Sequence, residues 1–303
     1  MASLQDIRRR IRSVQNTRKI TRALELVAAS KLRRAQQRIE DMRPYADRML
    51  ELMGGTARAS TSVRGLPLLQ QREEVKAVAI VAVMGDRGLS GPFNSQVLRR
   101  SLAVSRQLQG EGKQVRWVGV GRRGVSSLRF RRFELAGEFL GFTDDPRYAD
   151  AQAIAHRVTE LYTEEEVDRV VVIYNRFESA LTQVVTEQEL LPLSEALLET
   201  DEDERQEDAL RGDFIFEPEP EEILERLLPV YVETELYRAL LESAASKHGA
   251  QMTAMRNATK NAGELIDNLT LAMNRARQAE ITQEISEIVG GASALAEATA
   301  ASD

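Results

Sequence analysis

From Met1 to Arg43 the chain contains neither glycine nor proline, and no proline follows Pro229. Stretches this long without a backbone breaker restrict each end of the molecule to a long helix. At the first end Leu4, Ile7, Ile11 and Val14 fall at intervals of three and four, the seam of a coiled coil. The register then slips to Ile20, Leu24, Val27 and Ala28, and a second seam runs through Leu32, Ala35, Ile39 and Met42. Ser3 with Asp6 suits an N-cap. Pro44 predicts a bend, beyond which the periodicity resumes at Met49, Leu52 and Met53. Helical from Ser3 to Arg58, the segment would be about 80 Å long, more than a small globular domain can bury.

At the other end, apolar or small residues recur with helical spacing from Leu236 and Leu240 through Met255, Ala262, Ile266, Leu269, Met273 and Ala276 to Ile281, Ile285 and Ile288. That is roughly 55 residues, again about 80 Å. Gly249 and Gly263 each cost about 1 kcal/mol relative to alanine, which a closely packed partner helix can offset. Gly290-Gly291 predicts a stop before an alanine-rich tail. Two rods of similar length are natural antiparallel partners, and Ala28, Ala29 and Ala262 would permit close approach.

Between the rods the pattern changes. Val78–Val83, Val115–Val120 and Val170–Tyr174 are β-branched runs of buried-strand type, separated by helical stretches through Val97–Leu108 and Ala151–Leu161. Strand alternating with helix implies a parallel sheet covered on both faces, and Thr182–Leu191 offers an edge strand. The fold class is mixed α+β: a long antiparallel coiled coil of N- and C-terminal helices with an inserted Rossmann-like α/β domain. The expected boundaries are 1–58 for the first helix, 75–200 for the α/β domain, 201–218 for an acidic loop and 219–303 for the second helix.

Charge is distributed unevenly. Residues 1–40 hold eleven Lys/Arg against three acids, whereas residues 199–222 hold twelve acids against two arginines. The basic start would suit nucleic acid, an anionic surface or an acidic protein collar. Nucleic-acid binding is disfavoured by the net charge of −6 and by the lack of a base-reading motif. No cysteine is present, so thiolate metal sites, disulfides and cysteine nucleophiles are excluded. The two histidines, His156 and His248, do not suggest a metal site. No run of 18 apolar residues implies a membrane span, and the basic start reads as mature helix rather than a targeting signal. Gly85–Asn94 is a glycine-rich turn from strand to helix, but it has neither the dinucleotide-binding nor the Walker spacing. Ser90 lies in no nucleophile elbow. A tight turn, with Asn94 near the helix start, is the simpler reading, and no catalytic residue, metal or cofactor is expected. An enzyme built on the α/β domain would instead bind nucleotide there.

The run Ile11-Arg12-Ser13-Val14-Gln15-Asn16-Thr17-Arg18-Lys19-Ile20, continuing to Lys31, resembles the N-terminal helix of F-type ATP synthase gamma subunits. Ile281-Thr282-Gln283-Glu284-Ile285-Ser286-Glu287-Ile288-Val289-Gly290-Gly291 is similar to that family's C-terminal signature, and Gly85–Asn94 and Arg256–Ala262 resemble two internal blocks. The resemblance spans essentially the whole chain. It implies a non-catalytic rotor shaft coupling proton-driven rotation of a membrane c-ring to ATP synthesis or hydrolysis on an alpha/beta hexamer. It further implies an epsilon partner and a peripheral place on the cytoplasmic face of a bacterial inner membrane.

Carried over position by position, the resemblance puts Leu24 near an acidic loop of beta. It makes Arg277, Gln278 and Thr282 contacts to the hexamer, with Glu284 and Glu287 in the same signature. Phe214 and Glu217 match a foot segment facing the c-ring and epsilon. Ser90 stands where many members have cysteine, and the cysteine-bearing insert of plastid members is missing, which argues against thiol control.

Overall fold

The computed structural model describes residues 4–60, 65–194 and 219–300, the last eight of these as backbone. In chain order the elements are helix α1 (Leu4–Ala59), strand β1 (Ala77–Val83), helix α2 (Phe93–Gly110), strand β2 (Gln114–Val120), helix α3 (Arg122–Phe130) and strand β3 (Leu135–Phe139). Helix α4 (Tyr148–Thr163), strands β4 (Arg169–Phe177) and β5 (Gln183–Leu191), and helix α5 (Pro220–Ala300) complete the chain. Two compact units result: residues up to Leu26 together with those from Ala254 onward, and residues Val27–Thr253.

In the larger unit a five-stranded sheet has the order β3-β2-β1-β4-β5, with β5 alone antiparallel to its neighbour. Alternate residues of β1 serve opposite faces. Val78, Ile80 and Ala82 join α2 and α3 through Val97, Leu108 and Leu128. Ala79, Val81 and Val83 join α4 through Ile154, Ala155 and Val158, and the same cluster takes in Met49 and Met53 of α1 and Leu224, Leu228, Val232 and Leu236 of α5. Covering both faces is what lets the central strands be continuous apolar runs. The expected strands are therefore found, and Thr182–Leu191 is indeed the edge. Helix α3 and strand β3 are additions to the expected layout.

Along α1 the spacing of three and four never breaks. From Leu4 it continues through Ile7, Ile11, Val14, Arg18, Thr21, Glu25, Ala28, Leu32, Ala35, Ile39, Met42 and Ala46 to Met49, Met53 and Thr56, and every one but Arg18 is buried or half-buried. The expected register slip is thus corrected. Ile20 and Val27 are 60% and 51% exposed, and the seam passes instead through Thr21 and Glu25. Polar side chains at seam positions had looked like a break. Pro44 lies inside the helix on its exposed side. The lost hydrogen bond is offset by burial of the seam on either side, notably Met49 and Met53.

Helix α5 starts at Pro220 and carries Pro229 internally, because Leu224 and Leu228 are already committed to the core. It also runs through Gly290-Gly291 without stopping, to Ala300. The glycines serve differently as well: a Cβ on Gly249 would stand 3.2 Å from the Ala180 carbonyl in the loop after β4, whereas Gly263 faces open space.

Candidate functional surfaces

In the smaller unit, Ile7 and Ile11 of α1 pack against Ile266 of α5, with Val14, Leu269, Met273 and Ala276 around them. The next layer is polar. The hydroxyls of Thr21 and Thr259 lie 2.8 Å apart. The Glu25 carboxylate accepts from Arg22 Nη1 at 2.8 Å and from Arg256 Nε at 3.1 Å. The hydrogen bond from Arg256 chiefly lowers its pKa, with burial opposing and Arg22 assisting. The folded carboxyl therefore releases its proton more readily than the unfolded one. Its stabilisation is present above the ordinary glutamate range and is lost as the pH falls through the lowered value. Arg18, Lys19, Arg22, Arg256 and Lys260 surround this carboxylate along a groove of about 770 Å³.

Beyond Ala276 the seam has no partner among the described residues. Every residue of α5 from Arg277 to Ala292 is exposed, including Ile281, Ile285 and Ile288. Their expected place in a two-helix seam is therefore corrected, since α1 has no residue packed against them. Arg277, Gln278, Thr282, Glu284 and Glu287 all stand on this bare stretch. The Thr282 hydroxyl donates to the Gln278 carbonyl at 2.9 Å, and Gln283 Nε2 to Glu287 at 3.0 Å. Leu24 is half-buried on α1, one residue from Glu25. Phe214 and Glu217, with the acidic run 201–218, lie outside the described residues. Glu25, Arg22 and Arg256 were not anticipated; their signal was three polar residues, Arg18, Thr21 and Glu25, at unbroken heptad positions.

In the larger unit, strand order reverses between β1 and β4, the place where doubly wound sheets usually take a ligand beyond the carboxyl ends of the strands. Here α5 fills that place. Ser246 Oγ donates to the Asn175 carbonyl at 3.0 Å, and Asn175 Nδ2 donates to the Phe93 carbonyl at 3.3 Å. The Lys247 stem runs past Gly85, 3.5 Å from where a Cβ would stand. Its ammonium pairs with Asp144, which also has Lys31 at 3.9 Å. Burial first, then Lys31, push that ammonium down to about 8. His248 Nε2 lies 3.0 Å from the Asp144 carbonyl, so it carries the proton, and Nδ1 is bare. Burial holds this imidazole neutral, at about 3.

The glycine-rich turn is likewise used structurally. Gly85 N–H donates to Asn94 Oδ1 at 2.8 Å. Asp86 accepts from the backbone of Arg122, Gly141 and Thr143 and from the Thr143 hydroxyl. Burial pushes its pKa up, but those donors together hold it below the usual carboxylate value. Among the described residues no cluster of His, Asp or Glu could hold a metal.

The Lys247–Asp144 pair makes a prediction. Asp144→Ala leaves a buried ammonium without its partner and is expected to cost about 3 kcal/mol. Lys247→Met keeps the stem and removes the charge, so its loss should be smaller. Urea unfolding of both variants decides it, and an Asp144→Ala loss under about 0.5 kcal/mol, the surface range, would refute the pairing.

A family model described as ATP synthase matches residues 3–295. An ATP synthase gamma chain of Rubrobacter xylanophilus is 49% identical over 296 residues, covering 98% of this chain and 99% of that one. One of Streptomyces avermitilis is 44% identical over 306 residues, covering 100% and 99%. Among solved structures, a chain of the Tetrahymena thermophila mitochondrial ATP synthase central stalk and c-ring is 29% identical with a TM-score of 0.57, covering 79% of this chain and 99% of that one. A chain of the Euglena gracilis mitochondrial ATP synthase, at 18% identity, shares the fold with a TM-score of 0.65 over 96% and 94%.

Proposed function

The chain belongs to the family of ATP synthase gamma chains, and from that premise we propose that it is the rotor shaft that couples proton-driven rotation of a membrane c-ring to ATP synthesis or hydrolysis on an alpha/beta hexamer. The observation that carries the reading is the bare stretch of α5. An isoleucine stripe at helical spacing, interleaved with Arg277, Glu284 and Glu287, is left uncovered by the described residues. An apolar stripe of this kind on a lone helix calls for a partner surface around it.

A shaft acts by differential contact. One asymmetric helix pair inside a ring of three catalytic subunits favours a different conformation in each, and rotation moves that preference round the ring. Leu24, Arg277, Gln278, Thr282, Glu284 and Glu287 would make those contacts, and the foot at Phe214 and Glu217 would meet the c-ring and epsilon. The chain itself would be non-catalytic. What supports this is the occupied crevice: Lys247 and Ser246 stand where a doubly wound sheet would take nucleotide. No helix among the described residues is long and apolar enough to cross a membrane. Association with the cytoplasmic face of a bacterial inner membrane would come through the complex.

Co-expression with alpha and beta subunits of the same source is expected to yield a stable complex whose ATPase activity depends on this chain. A hexamer that assembles fully while the chain stays free in solution would overturn the assignment.

A further inference from the structure

The basic groove of the smaller unit contains one acid, and that acid is the least accessible group in it. The Glu25 side chain is 6% exposed, whereas those of Arg22 and Arg256, which it binds, are 60% and 58% exposed. Two guanidinium groups from different helices are thereby held beside each other although their charges repel. Each donates one bond to the carboxylate, through Nη1 of Arg22 and Nε of Arg256, so other N–H groups of both forks are not engaged by Glu25. Arg18, Lys19 and Lys260, all exposed, extend the positive surface on either side.

We propose that Glu25 is a positioning residue, one that fixes Arg22 and Arg256 as an oriented pair for an acidic segment of the surrounding hexamer; this rests on the shaft reading. The physical reason lies in the arginine fork. Its planar donors match a carboxylate in a fixed geometry, and an arginine already held in place gives up less rotamer freedom when it binds. Free on the helix surface, the same side chains would supply charge without direction. A lone buried carboxylate that bridges α1 and α5 also makes the spacing between the two forks a property of the coil.

Charge and position make opposite forecasts for Glu25→Gln, which is what makes the substitution informative. Removing the single acid makes the groove more positive, so a field effect alone would strengthen binding to an acidic partner and speed association. Loss of orientation would instead weaken binding through a faster off-rate. The test measures association and dissociation of the full chain with separately prepared alpha/beta hexamer across a range of salt concentrations. Glu25→Gln is expected to bind about five- to twentyfold more weakly, with the change in the off-rate, and Glu25→Asp is expected to recover part of the loss.

A cycle guards against general loosening of the coil. In an Arg22→Gln/Arg256→Gln background, adding Glu25→Gln should have no further effect on the off-rate, because the carboxylate acts only through those two side chains. Additive losses, or a Glu25→Gln chain that binds as tightly as the unaltered one, overturn the proposal. Failure of the unaltered chain to bind the hexamer overturns the shaft reading, and the proposal with it.

Discussion

Gly121→Ala is expected to unfold the α/β unit, with a loss above about 4 kcal/mol. Gly121 joins β2 to α3 with φ 86° and ψ 138°, a backbone region that L side chains rarely adopt. Space is the larger obstacle. A Cβ there would lie 2.1 Å from the Met84 carbonyl oxygen and 2.7 Å from its carbon, with Gly85 at 3.0 Å. Those atoms directly follow β1, and they cannot retreat without disturbing the Met84 N–H bond to Val120 and the Gly121 N–H bond to Phe139. Gly124→Ala is the natural control. Its Cβ would meet the Met84 methyl at 2.6 Å, the far end of a flexible side chain that can rotate away. Circular dichroism during thermal unfolding should therefore show near-complete loss for the first variant and a modest shift for the second. Similar melting temperatures would mean that β1 and the β2–α3 turn do not approach as described.

The same turn shows why part of the fold was illegible in the sequence. The central strands are visible as apolar runs because both their faces are buried, and the long helices because a heptad repeats for many turns. Helix α3 has nine residues, three of them arginine and one glycine, and β3 is half-buried throughout with Gly137 and Glu138 inside it. Helix α3 spans little more than two turns, too few for its apolar face to stand out, and the burial of β3 does not alternate. Both form because β2 ends at a glycine whose backbone alone fits beneath Met84, and because Asp86 receives the N–H groups of Arg122 and Gly141. Those determinants are tertiary, and no window of sequence contains them.

The functional surfaces follow the same division. The stripe on α5 was legible as periodicity, but whether it was seam or surface depended on where α1 has residues to meet it. Glu25 was illegible for the opposite reason. A carboxylate at a heptad position looks like an interruption until Arg256, far along the chain, is brought beside it. Ile20 and Val27 then look like the better seam, and a search for apolar continuity selects the wrong face. Gly290-Gly291 misled in a simpler way. Two glycines cost about 2 kcal/mol in a helix interior, and the alanines that follow recover enough helix propensity for the chain to continue.

Ending the chain after Gln278 is expected to leave the α/β unit as stable as before, within about 0.5 kcal/mol, because the residues removed belong to the smaller unit. Assembly should suffer instead. Ile281, Ile285 and Ile288 are 48%, 56% and 71% exposed, so each has apolar area still to bury. Complete burial of an isoleucine is worth about 1.5–3 kcal/mol. Three half-exposed ones would supply roughly 3 kcal/mol, less the cost of ordering the partner surface. The truncated chain should accordingly associate with an alpha/beta hexamer at least about tenfold more weakly. A full-length chain with Ile281, Ile285 and Ile288 changed to serine separates the apolar stripe from the charged groups beside it, since Arg277, Glu284 and Glu287 remain. If the serine variant binds like the unaltered chain while the truncated one does not, the contact belongs to the polar residues. If both bind normally, the bare end of α5 carries no part of the coupling, and the groove around Glu25 must hold the shaft.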